Sequence, residues 1–368
     1  MNVNNKMITI AREVRGMTQM QLSASIPKLS QGNLSKMEKG IIGVTEEVIE
    51  KIASALNFPV SFFYEEYTFP PFSNVYYRKL ITASVKKMSQ LEAIFKTTMF
   101  VVDNLLESID IPEYTIPELD VENEFAKTNT NKTTQRVEDI ARRVRFVLGI
   151  PDGPITDISD ILEKNGIIII EINTDMAKFS GMSAQTQNGA KIIFLNGNMS
   201  NDRKRFTIAH ELGHIVMHIP FIAISEDRDL ENEANVFAGE FLMPYKDFRK
   251  DVSQYLSYNH LDMLKAYWRA SKQAIIRKAY QDQIISAQKY QSLMVQMSMN
   301  GERKCERIIV DFPDPKLLKK IIDVFYDDLG YTQDDLTQAI SVNLNSLPLM
   351  INKRPNMILL RSKTRIQL

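Results

Sequence analysis

Residues 205–218 read RFTIAHELGHIVMH. An apolar helix is predicted over Phe206–His218. His210 and His214 are four apart, so a helix stacks them one turn apart on a single face. Two imidazoles placed this way can share one metal ion at about 2 Å each. Glu211 neighbours the first histidine and reaches the same side. A carboxylate there can take a proton from metal-activated water and pass it to a leaving amine. Gly213 is expected to keep the helix surface clear beside the metal. A hydrolytic site of this kind needs a third protein ligand and an open position for water. The next helix, predicted over Leu230–Leu242 and ended by Pro244, offers Glu231, seventeen positions beyond His214. That is enough for a loop and a helical return. Glu233 is the alternative ligand, on a different face. Asn235 sits one turn from Glu231, where it can hydrogen-bond a ligating histidine and fix its tautomer. The competing reading is a core helix with hydrogen-bonded histidines. Clustering argues against it, since three of the four histidines fall within 210–218. His218 continues the series a turn further on and is read as a supporting group. His260 is read as a surface or packing residue.

Outward from this segment, residues 133–298 read as one unit. GIIIIEI (166–172) is a strand buried on both faces, after a helix that stops at Gly166. AKIIFLN (190–196) is a second strand. A helix over Gln135–Leu148 precedes a Gly/Pro turn at 149–154. The tail, residues 299–368, has strand-like RIIVDF (307–312) and a helix over Leu317–Leu329, and reads as a small domain of its own.

Upstream, residues 1–66 read as short helices. Thr18 is an N-cap with Gln21 as its capping-box partner; Ser30 starts another helix that stops at Gly40, and Thr45 caps a third. Residues 67–132 form a connector. It opens with TFPPFSNVYYRK (68–79), in which Tyr76–Lys79 reads as solvated linker or nucleic-acid contact. A helix around Ala83–Ile109 follows, then a linker rich in Pro and acidic residues.

Composition bounds the function classes. The chain has 368 residues, 44% hydrophobic and 24% charged, as in soluble multidomain proteins. Forty-five basic residues balance forty-five acidic ones, which argues against a globally basic nucleic-acid binder. Locally, residues 1–45 carry six basic and two acidic residues, a net +4. One cysteine, Cys305, can make neither an internal disulfide nor a cysteine-based zinc site, so any metal must use histidine and carboxylate. No signal-like apolar region follows the N-terminal charges, and no run reaches bilayer length. The expectation is a cytoplasmic protein without a membrane partner.

RFTIAHELGHIVMH followed by ENEANVFAGEFLMP (231–244) resembles the ImmA/IrrE family of metallopeptidases. The resemblance extends to LEKNGIIIIEI (162–172), FSGMSA (179–184), IIFLN (192–196) and LKAYWRASKQAIIRKAY (264–280), so it covers roughly residues 135–285. It implies that His210, His214 and Glu231 bind zinc and that Glu211 is catalytic; a site of two histidines and one glutamate also accepts other divalent ions, manganese among them. It also implies cleavage of a helix-turn-helix repressor, in the service of a mobile element or a stress response. TQMQLSASIPKLSQGNLSKMEKG (18–40) resembles the helix-turn-helix of Xre/Cro-type repressors, with a turn one residue longer than is usual there. Gln31 to Lys39 is then the recognition helix. Gln31 and Asn33 can pair with adenine, Lys36 can reach guanine or phosphate, and Ser35 lies among them. Operator DNA and a repressor substrate are the expected partners, with homodimerisation left open.

The expected fold is α+β and mainly helical: an N-terminal helix-turn-helix bundle, a central zincin-like metallopeptidase domain with a small sheet, and a small C-terminal α/β domain. Two other functions compete. One is a transcriptional regulator whose zincin domain senses or binds without turnover; the intact Glu211 weighs against it. The other is an antitoxin or immunity component that acts by binding alone.

Overall fold

The isoleucine run after Gly166 forms the first strand of a three-stranded sheet. β1 spans Ile167–Ile172, β2 Gly181–Gln185 and β3 Lys191–Asn196. β3 lies in the middle, parallel to β1 and antiparallel to β2. Gly166 turns the chain into β1 at a φ of +78°, and a Cβ there would stand 2.6 Å from the Pro112 carbonyl oxygen. Only glycine suits both conditions.

The computed structural model describes residues 2–70, 84–116, 130–219, 228–303 and 305–351. Among them are fifteen α-helices, so the fold is α+β and mainly helical. In chain order the first five are α1 (Asn5–Val14), α2 (Gln19–Ser25), α3 (Gln31–Glu38), α4 (Glu46–Leu56) and α5 (Val85–Leu106). Next come α6 (Thr130–Val147), α7 (Ile158–Glu163), α8 (Asn201–Met217), α9 (Leu230–Leu242) and α10 (Tyr245–Asp251). The last are α11 (His260–Trp268), α12 (Lys272–Gln281), α13 (Ala287–Met299), α14 (Leu317–Asp327) and α15 (Gln333–Ala339).

The sheet divides two cores, because strand side chains alternate between faces. Ile167, Ile169, Ile193 and Leu195 pack with residues of α6 to α13. Ile168, Ile170, Ile172, Met182 and Phe194 pack with α1 to α5, α14 and α15. α5 joins the N-terminal helices to the sheet. Its Phe95 ring lies 4.6 Å from Phe194, and Phe100 meets Phe62 edge-on at 5.8 Å. Gly16 lets α5 approach α1: a Cβ there would stand 2.9 Å from the amide of Gln90, which donates to the Val14 carbonyl. One apolar cluster thus runs through the N-terminal, connector and tail segments. As folding units, 1–66, 67–132, 133–298 and 299–368 stay a proposal.

Local signals account for much of the N-terminal region. Thr18 and Gln21 form a reciprocal capping box, and Ser30 accepts from the Asn33 amide. Thr45 stands at the N-cap of α4 but makes no side-chain cap bond. Lys28, in the long turn before α3, adopts a φ of +66°.

One expected strand is absent from its place, and one strand that forms was not expected. RIIVDF is not a strand, so among the described residues the tail shows no α/β unit of its own. Val310 and Phe312 are buried in alternation with exposed neighbours, but the Val310 carbonyl accepts from the Asn201 side chain rather than from a ladder. The tail reaches the sheet later, where Leu349 bridges Ile172 antiparallel. There Asn173 donates to Pro348 and Met350 donates to Glu171. β2 was not foreseen, because GMSAQ lacks the apolar run that marks β1 and β3. Tyr76–Lys79 and most of the expected linker lie outside the described residues.

Candidate metal centre

α8 carries the two motif histidines and is anchored near its N-terminus by two adjacent residues. Lys204 pairs with Glu171 of β1 at 2.7 Å, both buried. Arg205 donates to the carbonyls of Ile155, Thr156 and Arg269. Burial of that guanidinium lowers its pKa to about 10. α9 starts at Asp229, whose side chain accepts from the Asn232 amide. Gly213 serves the contact between α8 and α9, not clearance beside a metal as its position suggests. A Cβ on it would stand 3.1 Å from the Phe237 ring of α9.

This packing brings His210, His214 and Glu231 together. The two Nε2 atoms are 3.1 Å apart. Glu231 Oε2 lies 3.6 Å from His210 Nε2, and its Oε1 lies 3.3 Å from His214 Nε2. Ligands at about 2.0–2.1 Å around a tetrahedral ion are separated by about 3.3 Å; each of these separations is close to that, with Glu231 meeting the two histidines through different oxygens. The Glu231 side chain is 38% exposed and the histidines are under 10%, so protein covers the two rings while Glu231 stays partly exposed.

The outer ring nitrogens decide the tautomers. His210 Nδ1 lies 3.1 Å from Asn235 Oδ1, which can only accept. His210 is therefore protonated on Nδ1 and presents a lone pair on Nε2. His214 Nδ1 lies 2.7 Å from His218 Nδ1. His218 Nε2 lies 3.0 Å from Glu233, which also accepts two bonds from Arg228. Burial pulls the His218 pKa down to about 4, outweighing the upward pull of Glu233. A neutral His218 donates from Nε2 to Glu233 and accepts on Nδ1, so His214 donates from Nδ1 and also presents Nε2. Burial raises the pKa of Glu233, but its bonds from His218 and Arg228 win and leave it below the usual carboxylate range. Both lone pairs thus point into the triangle, and the donor set of two imidazoles and a carboxylate fits a divalent ion.

Glu233, the alternative ligand, is placed on the relay and outside the triangle. Glu211 is buried beside the cluster, and its Oε2 accepts from the hydroxyl of Ser183 on β2 at 3.0 Å. Ser183 and Arg228 were missed in sequence. The strand alternation places Ser183 on the α8 face but does not say which side chain it meets, and Arg228 precedes α9 with no motif around it. His260 is half-buried at the start of α11, away from the cluster. In the N-terminal helices Gln31, Asn33 and Lys36 are exposed on α3, and Ser35 is half-buried. Gln31 donates to Gln19 of α2 at 2.9 Å.

Comparison with known proteins bears on the central unit. Among curated proteins none matches the chain. Among solved structures a Mycobacterium tuberculosis transcriptional regulator is similar, at 17% identity and a TM-score of 0.30. The match covers 43% of this chain and 49% of that one, so the chain spans about half the length of that regulator. A peptidase family model, described as the IrrE N-terminal-like domain, matches residues 162–280. That span contains all three members of the triangle, Glu211 and the whole relay from His218 to Arg228, so the part of this chain that is similar to an IrrE N-terminal-like domain is the part that holds the candidate metal centre.

Proposed function

We propose that this protein is a metal-dependent endopeptidase joined to a DNA-binding helical module, and that it cleaves a repressor protein to relieve transcriptional repression. The observation that carries this reading is the ligand triangle itself: two Nε2 lone pairs and a carboxylate at metal-site separations, with the outer ring nitrogens hydrogen-bonded. An ion held there, zinc or else manganese, supplies Lewis acidity that activates water and polarises a peptide carbonyl. Glu211 accepts the proton of the attacking water and delivers it to the leaving amine. Asn235 and His218 hold the rings in the tautomer that the ion needs. Substrate approaches from the side on which Glu231 is exposed.

The substrate we infer is a helix-turn-helix repressor, from the family resemblance of the central unit and from the N-terminal helices of this chain. Gln31, Asn33 and Lys36 are exposed on α3, with a net +4 over residues 1–45. They would contact operator bases and phosphates, and so carry the peptidase to the promoter, as a monomer or a homodimer. No helix among the described residues is long and apolar enough to cross a membrane; a cytoplasmic location is part of the proposal.

Elemental analysis of the purified protein tests the site. About one zinc per chain is expected, and its loss in His214→Ala and Glu231→Ala. Glu211→Gln is expected to keep the metal and lose repressor cleavage by at least about a hundredfold. Unchanged cleavage in that variant would sink the mechanism.

A further inference from the structure

Ser183 stands on β2, opposite Ile193 of β3, in a strand that no part of the His-Glu-x-x-His motif specifies. Its neighbour on the same strand face is Gly181. A Cβ on Gly181 would stand 2.5 Å from Thr207 Cγ2 and 3.3 Å from Glu211 Cγ. The missing side chain therefore lets β2 lie directly against α8 at Glu211. Two residues on, the Ser183 hydroxyl donates to Glu211 Oε2 at 3.0 Å. We infer that Ser183 is a positioning residue, which fixes the plane of the Glu211 carboxylate in which that group exchanges the proton. The inference rests on the peptidase reading above.

The physical need is plain. The last torsion of a glutamate is broad and nearly two-fold, so its two oxygens interchange easily. A proton-transfer group works only when one lone pair is held in line with the water and the leaving amine. A hydrogen bond to a carboxylate is of the stronger, charge-assisted kind. Glu211 is 3% exposed, so little water competes for that bond. The register of β2 on β3 sets the height of the hydroxyl, and Gly181 sets its distance from the helix. Neither Ser183 nor Gly181 belongs to the ligand triangle, so the role is separable from metal binding.

Zinc-loaded full-length protein tests this as wild type, Ser183→Ala and Ser183→Thr. High-resolution crystal structures need no turnover. The expected result is one Glu211 orientation in wild type and Ser183→Thr, with a rotated or divided carboxylate in Ser183→Ala. A Glu211 in the same single orientation in all three overturns the inference. With oxidised insulin B chain as a probe peptide, kcat is expected to fall roughly tenfold or more in Ser183→Ala with KM unchanged, and to recover in Ser183→Thr. A loss that appears in KM alone, or that threonine does not rescue while zinc content stays at wild-type level, also overturns it. Glu211→Gln reports separately on the peptidase reading. Full cleavage by that variant removes the reading, whereas the carboxylate orientation still decides whether Ser183 positions Glu211.

Discussion

Replacing Glu233 by glutamine removes the negative charge that His218 and Arg228 both donate to. His218 is then free to flip, and His214 is no longer held as an Nε2 ligand. Metal affinity is expected to fall roughly 10- to 100-fold, measured by competition with a chromophoric chelator; unchanged affinity would mean that the relay does not reach the ion. In α3 the residues separate by role. Lys36→Ala should weaken binding to all DNA sequences alike and reduce the slope of log affinity against log salt by about one. Asn33→Ala should weaken the specific operator selectively, and equal losses on random DNA would contradict base contact. The pairing of His210 with His214 on one helix face, and of Glu231 with Asn235 on another, was legible in sequence because helical spacing alone decides it; that the two faces meet was not. Glu233 was legible only as a carboxylate. Its use depends on Arg228, which reaches it across the start of α9. Ser183 was not legible, because its partner lies 28 positions away on another element.

At the scale of elements, the approach of α8 to α9 turns on Gly213. Valine there regains a few tenths of a kcal/mol of helix propensity over glycine. Against this, it forces carbon atoms into the Phe237 ring, already 3.1 Å from an ideal Cβ, and overpacking of that sort costs about 1–3 kcal/mol. Overpacking wins. Gly213→Val is expected to lower Tm by roughly 2–10 °C and to reduce metal content, since Glu231 rides on the displaced helix. A variant with wild-type Tm and full zinc would contradict the packing account. β1 and β3 were readable from their β-branched runs. RIIVDF was misread for the same reason, as burial alternates there without a ladder partner. A period of two reports which side chains are covered, not whether a neighbouring strand exists.

At the scale of the molecule, Arg15 connects segments that the sequence separates. Its guanidinium donates to the carbonyls of Leu56 and Asn57 at the end of α4 and to the carbonyl and hydroxyl of Ser346. It also stacks on Phe58, 4.6 Å from the ring centre. Just beyond Ser346 the tail joins the open edge of β1. Arg15→Ala is expected to ease detachment of the tail by about 2 kcal/mol, roughly thirtyfold in opening. Faster hydrogen exchange at the Asn173 amide, which donates to Pro348, would report it. Exchange at the wild-type rate would show that Arg15 does not hold the tail. The same clasp puts a clock on synthesis. Arg15 and Ser346 are 331 positions apart, and at about 5–20 residues per second a ribosome takes roughly 17–66 s to travel from one to the other. β1 is complete at Ile172, 177 positions before Leu349, so for roughly 9–35 s of that interval the nascent chain carries the edge of β1 bare, a sticky strand exposed to whatever chaperone or sister chain meets it first.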